Sequence, residues 1–146
     1  MKKLHPQNID TEGIKEGIAA ALMNSNSPKM SSAIISGVRD VVFKYLKNAE
    51  KDGLLSVEVT QRTIDVAMEA VLEINGDLYL AASGIVLGVF QTTPGLDAKE
   101  AFSVVSELAS NIVKIADGLQ GDVALAAKGA VYGDIKAARQ LRLNVE

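Results

Sequence analysis

Apolar residues return every three or four positions along most of this chain, which is the period of one face of an α-helix. Between Pro28 and Lys51 the stripe is Met30, Ile34, Val38, Val41 and Tyr45. Between Ser56 and Leu78 it is Ile64, Ala67, Val71, Ile74 and Leu78, with Asp65, Glu69 and Glu73 on the opposite side. From about Leu78 to Gln91 the residues are apolar nearly all round, as in a helix buried on every side. A later stripe holds Ala101, Val104, Val105, Leu108, Ile112 and Ile115.

The punctuation between stripes agrees with this reading. A first helix runs from about Asp10 to Met23, and Asn24 to Pro28 form a loop whose proline can open the second helix. Asp52-Gly53 ends the second helix and Ser56 caps the third. Gly76-Asp77 pairs a helix-ending glycine with a helix-capping aspartate, and Gly121-Asp122 repeats the device. Thr92-Thr93-Pro94-Gly95 breaks the fourth helix, and Asp97 to Glu100 fit a capping box for the fifth. The last helix runs to about Leu141. Short connectors predict that consecutive helices are antiparallel neighbours.

Residues 76–88 align with residues 121–133 at an offset of 45, and eight of the thirteen positions are identical. That period belongs to arrays of paired helices. The expectation is a single all-α domain over residues 1–146: an antiparallel bundle of five or six helices, arranged as pseudo-repeated hairpins. The hairpins fall at about 10–53, 54–96 and 97–143, after a flexible leader at 1–9.

Inside those helices lie three pairs of glycines four residues apart: Gly13 with Gly17, Gly84 with Gly88, and Gly129 with Gly133. Each pair shares a helix face. A mid-helix glycine costs roughly 0.8–1 kcal/mol relative to alanine, so six oppose folding by about 5 kcal/mol. Close approach of another backbone, where a Cβ would clash, is the natural compensation. Packing inside one bundle is the preferred reading, ahead of a homo-oligomer interface or a lipid-facing surface.

Composition narrows the chemistry. There is no Cys, which removes disulfides, thiolate nucleophiles and Cys-ligated metals, and favours a cytoplasmic setting. His5 is the sole histidine and precedes Pro6 in the leader, so ordinary zinc sites and histidine-based catalysis have no ligand set. No phosphate-binding glycine loop is present, and no cofactor is implied. The net charge of −3 is evenly spread, with no basic tail to suit nucleic acid. Leu78 to Leu96 carry no charge, but Ser83, Gln91, Thr92, Thr93, Pro94 and Gly95 interrupt them, which fits a central bundle helix better than a membrane span.

Several polar residues remain. Asp65, Glu69 and Glu73 stand four apart and could hold a hard cation; a solvated helix face is preferred. Asn111 falls on the apolar stripe of the fifth helix, at its edge or as a core amide that fixes register. Lys128 stands where the earlier copy has Ser83, with Tyr132 one turn on. They line a pocket for an anionic or aromatic ligand, or, as preferred, are a snorkelling lysine beside a half-buried tyrosine. Lys136, Arg139 and Arg142 suit the last helix's C-terminal dipole. These residues predict a non-enzymatic helical interaction or structural protein, self-associating through its Gly/Ala faces. The alternative is a module for an apolar or amphipathic ligand or a membrane surface.

Overall fold

A computed structural model describes residues 9–23, 31–92 and 98–145. It is all-helical: α1 (Thr11–Met23), α2 (Ser31–Lys51), α3 (Val57–Glu73), α4 (Leu78–Gln91), α5 (Ala98–Gly118) and α6 (Val123–Val145). The loop at Asn24 to Pro28, the capping box at Asp97, residues 1–8 with His5, and Met30 lie outside the described residues. Ile9, assigned to the leader, instead packs against the core. α6 continues beyond Leu141, because no glycine or proline follows to stop it.

α1, α3, α4 and α6 each start where a side chain takes up a free amide. Asp10 accepts from the Gly13 amide, Ser56 from Val59, Asp77 from Leu80 and Asp122 from Leu125, at 3.0–3.1 Å. The helix ends hold a surprise. The Gly53 turn has the left-handed glycine expected there, at φ 70°. At the other two turns the left-handed residue is the one before the glycine: Asn75 at φ 52° and Gln120 at φ 60°. The Gly76 and Gly121 amides then reach back to the Val71 and Ala116 carbonyls at 2.8 and 2.7 Å, closing the same Schellman turn. These glycines are needed for room: a Cβ on Gly76 would lie 2.7 Å from a Leu22 methyl, and one on Gly121 3.0 Å from a Leu72 methyl.

The helices form two layers. α1, α3 and α5 adjoin one another in sequence, and so do α2, α4 and α6, with each odd helix packed on the even helix that follows it. The most extensive contacts are not within hairpins but between alternate helices, α4 with α6 and α2 with α4. Their direction follows from who meets whom. Gly84 meets Ile35 and Val38, and Gly88 meets Arg39 and Val42. The numbers rise together, so α2 and α4 run parallel. Gly129 meets Tyr79, and Gly133 meets Ser83 and Val86, so α6 runs parallel to α4. Within the first hairpin Gly17 meets Val41 while Gly37 meets Ala21, which is the antiparallel sense.

α4 is the centre, with Leu78 and every residue from Ala81 to Val89 buried. Around it the core is aliphatic: Ile14, Ile18, Val38, Val42, Leu46, Ile64, Met68, Val71 and Ile112 are almost wholly enclosed. The stripes shift slightly from their sequence reading. α2 buries Val42 and Leu46 against the core, whereas Val41 and Tyr45 are only partly covered. α2 serves two neighbours, and Val41 and Tyr45 face Gly17 and Gly13 of α1. Ile74, placed on the α3 stripe, is 37% exposed because it sits beyond the helix's last turn. Among the described residues no helix is long and apolar enough to cross a membrane.

Candidate functional site

The glycine pairs are contact points between helices of one chain. A Cβ added at Gly84 would sit 2.7 Å from the Ile35 carbonyl oxygen, and one at Gly88 2.8 Å from that of Arg39. At Gly129 it would overlap the Tyr79 carbonyl, and at Gly133 it would lie 2.8 Å from Val86 Cβ. On α1, a Cβ on Gly13 would overlap the Asp10 carboxylate and the Tyr45 hydroxyl, and one on Gly17 would lie 3.1 Å from both Val41 methyls. The α4–α6 crossing also carries a buried polar link. The wholly enclosed Ser83 hydroxyl reaches the Gly129 carbonyl at 2.9 Å and the Tyr79 carbonyl at 2.8 Å. Beside it Tyr79 and Tyr132 pack with ring centroids 5.7 Å apart, and the Lys136 ammonium lies 5.3 Å over the Tyr132 ring.

Two ion-pair and hydrogen-bond clusters tie α1 to its neighbours. Lys15 pairs with Glu73 at 2.7 Å and Glu69 at 3.9 Å, and Arg62 approaches Glu69 at 3.7 Å. The acidic line of α3 is thus partly neutralised by α1. The Glu73 hydrogen bond is the main cause that holds the Lys15 ammonium above its ordinary range. Burial pushes the Asp65 carboxyl up, against the pull of Arg62. Burial and the Asp10 carboxylate beside it raise the Tyr45 phenol. Among the described residues no group of three or more carboxylates or histidines is placed to hold a metal ion.

Asn111 lines a cleft of about 380 Å³ between α3, α4 and α5. Its walls are Leu55, Ile64, Val89 and Leu108, and its polar rim includes Gln61, Glu107 and Thr92. Lys128 and Tyr132 are not part of it. The structure therefore separates the three polar residues singled out by sequence: Asn111 in the cleft, Tyr132 of α6 half-buried against Tyr79 of α4, and Lys128 exposed on the outer side of α6.

No protein-family model, curated protein or solved structure matches the chain.

The geometry draws attention to α6. Leu125 is 40% exposed, Val131 54% and Ile135 47%, three large apolar side chains on one helix. Ala124, Lys128, Val131, Ile135 and Arg139 are all exposed and fall within an arc of about 80° at 3.6 residues per turn. The sequence reading assigns no buried stripe to this helix and does not single out this face. The repeat holds the missing signal. At the offset of 45, Ala124, Lys128 and Val131 correspond to Tyr79, Ser83 and Val86. Those are the α4 residues against which the α6 glycines pack. The cleft residues Leu55 and Gln61 carry no comparable signal, since three separate helices must assemble before they meet.

Proposed function

We propose that this chain is a non-enzymatic helical interaction protein of the cytoplasm, and that the outer face of α6 is its binding surface. The observation that carries the reading is the exposed stripe of Ala124, Val131 and Ile135, flanked by Lys128 and Arg139. An apolar stripe on a helix otherwise packed into a domain marks a contact surface. The glycine faces do not serve this purpose, because all six glycines already meet atoms of their own chain.

A photo-cross-linking amino acid at Val131, compared with one at exposed Glu50, tests this in cells. A discrete adduct is expected from position 131 and none from position 50, and Ile135→Glu should remove it. Absence of any adduct at 131 overturns the reading. The adduct's mass states whether the partner is a second copy.

The cleft favours a second reading, a site for a small amphipathic ligand. Its volume falls within the range of small-molecule pockets, and its apolar walls carry a few polar groups at the rim. Among the described residues the Asn111 and Gln61 amides have no hydrogen-bond partner, so both are free to orient a ligand's polar end. A fluorescent apolar probe that binds the wild type but not Leu108→Trp supports this reading. Equal binding by both excludes it.

A further inference from the structure

We propose that the cleft between α3, α4 and α5 takes a primary aliphatic amine, with its alkyl chain on the apolar walls and its ammonium at Glu107. This rests on the reading of the cleft as a ligand site and adds the chemistry of the head group that the rim selects.

The rim is short of protons to give. The Thr60 hydroxyl donates to the Ser56 carbonyl at 2.9 Å, and the Thr92 hydroxyl donates to the Val89 carbonyl at 2.6 Å. A hydroxyl has one proton, so both oxygens can only accept from a ligand. Glu107, as a carboxylate, accepts only. Gln61 and Asn111 each offer a carbonyl oxygen and an NH2 group, so they suit either kind of partner. Ser56 keeps one proton while its oxygen takes the Val59 amide at 3.0 Å. Acceptors therefore dominate the rim. A head group with several N–H donors satisfies more of it than a carboxylate or a phosphate, which brings none.

Charge points the same way. Among the described residues that line the cleft, Glu107 is the one charged side chain. It stands four residues before Asn111, on the same face of α5. Among the described residues no hydrogen bond or ion pair occupies its carboxylate. Lys114, about two turns further along α5, does not line the cleft. The N-terminus of α3 would favour an anion, but Glu58 in its first turn already answers that dipole. The shape of the cation is restricted as well. No aromatic ring lines the described walls, so a planar or quaternary cation finds no π face to sit on. A quaternary head also has no N–H to give. Leu55, Ile64, Val89 and Leu108 supply aliphatic surface alone, which suits a plain alkyl chain ending in an ammonium.

The probes are octylamine, octyltrimethylammonium, octan-1-ol and octanoate, each titrated into the full chain at neutral pH and followed through backbone and side-chain amide NMR shifts. Octylamine should move the Leu108, Asn111 and Gln61 amides and bind about fivefold tighter than octan-1-ol, the scale of one exposed ion pair. Octyltrimethylammonium, which keeps the charge but has no N–H, should fall below octylamine, and octanoate should bind most weakly because Glu107 repels it. Glu107→Gln should level octylamine with octan-1-ol, and Glu107→Lys should place octanoate ahead of octylamine. Glu107 is exposed, so both variants should keep the wild-type melting temperature. Octan-1-ol or octyltrimethylammonium binding as tightly as octylamine, or a preference for octylamine that survives Glu107→Gln, overturns the proposal while the cleft remains a ligand site. If none of the four moves the cleft amides, the ligand-site reading falls and the amine with it.

Discussion

α4 and α6 begin with closely similar sequences and end in opposite environments. Both follow a Gly-Asp turn, both are capped by that aspartate, and both set glycines four apart onto a parallel neighbour. α4 is then covered on its other side by α6, whereas the matching side of α6 faces outward. The substitutions between the copies follow that difference. Tyr79 and Ser83, which meet α6 and suit a buried crossing, become Ala124 and Lys128, which suit an exposed one. Val86 becomes Val131 unchanged, and Phe90 becomes Ile135, so the apolar strip survives where water would favour polar residues. A copy whose matching face is exposed would be expected to shed both its charge-free centre and its apolar strip. α6 sheds only the first.

Exchanging the residues at one matched pair tests this contrast most severely. Ser83→Lys would force an ammonium into a site with no exposure and remove the link to Gly129. Stranding a buried charge costs about 3–5 kcal/mol when no partner can relax toward it. Urea titration should show a loss of that order or outright unfolding. The reciprocal Lys128→Ser should leave stability within about 0.5 kcal/mol, as surface substitutions do. Equal effects in the two directions would mean that the copies are not environmentally distinct.

The glycines give the next comparison. Gly84→Ala places a methyl 2.7 Å from both the Ile35 carbonyl and Val38 Cβ, neither of which can swing aside. A loss of about 1–3 kcal/mol is expected. Gly129→Ala should fall at the upper end, since its methyl would overlap the Tyr79 carbonyl oxygen. Gly118, also helical, has nothing within 4 Å of such a methyl. Gly118→Ala should instead raise stability by about 0.4–1 kcal/mol through helix propensity and a less disordered unfolded chain. Thermal melts with the same sign at Gly84 and Gly118 would remove the close-approach account.

These contrasts also show what one sequence reveals and what it hides. The 3.6-residue period marks α2, α3 and α5, because an aliphatic face must be buried whatever it packs against, and α4 stands out as apolar nearly all round. Glycine spacing points to Gly84, Gly88, Gly129 and Gly133 because a mid-helix glycine is costly without cause. Neither signal names the neighbour. Short connectors direct attention to hairpin partners, yet the largest contacts join α2 to α4 and α4 to α6, which no connector links directly. Val41 and Tyr45 look like core for the same reason: periodicity cannot divide a helix between two neighbours. Asn111 stands out as polar on an apolar stripe, but the cleft it lines exists only once α3 and α4 arrive.

The two capping aspartates should behave alike despite the different surroundings of their helices. Asp77 accepts from the Leu80 amide at 3.0 Å and Asp122 from the Leu125 amide at 3.1 Å, both at exposed sites. Replacing either by alanine should cost about 0.5–2 kcal/mol in denaturant titrations. A clear inequality would show that the cap matters more where the whole helix is enclosed.

The smallest effect separates the two left-handed residues. Asn75 and Gln120 occupy equivalent positions at φ 52° and 60°, and both are exposed, so packing does not set their preference. A left-handed conformation costs an ordinary L-residue roughly 1–2 kcal/mol, from the clash of its Cβ with the following carbonyl. Asparagine is partly excused, since its short amide bonds locally, whereas glutamine gains no such relief. Glycine removes the clash but makes the unfolded chain freer, which opposes part of the gain. Gln120→Gly should therefore stabilise by about 0.5–1 kcal/mol, and Asn75→Gly by less. Melting temperatures of the two variants check the order, and a larger gain at Asn75 would show that the α3–α4 turn is the more strained of the pair.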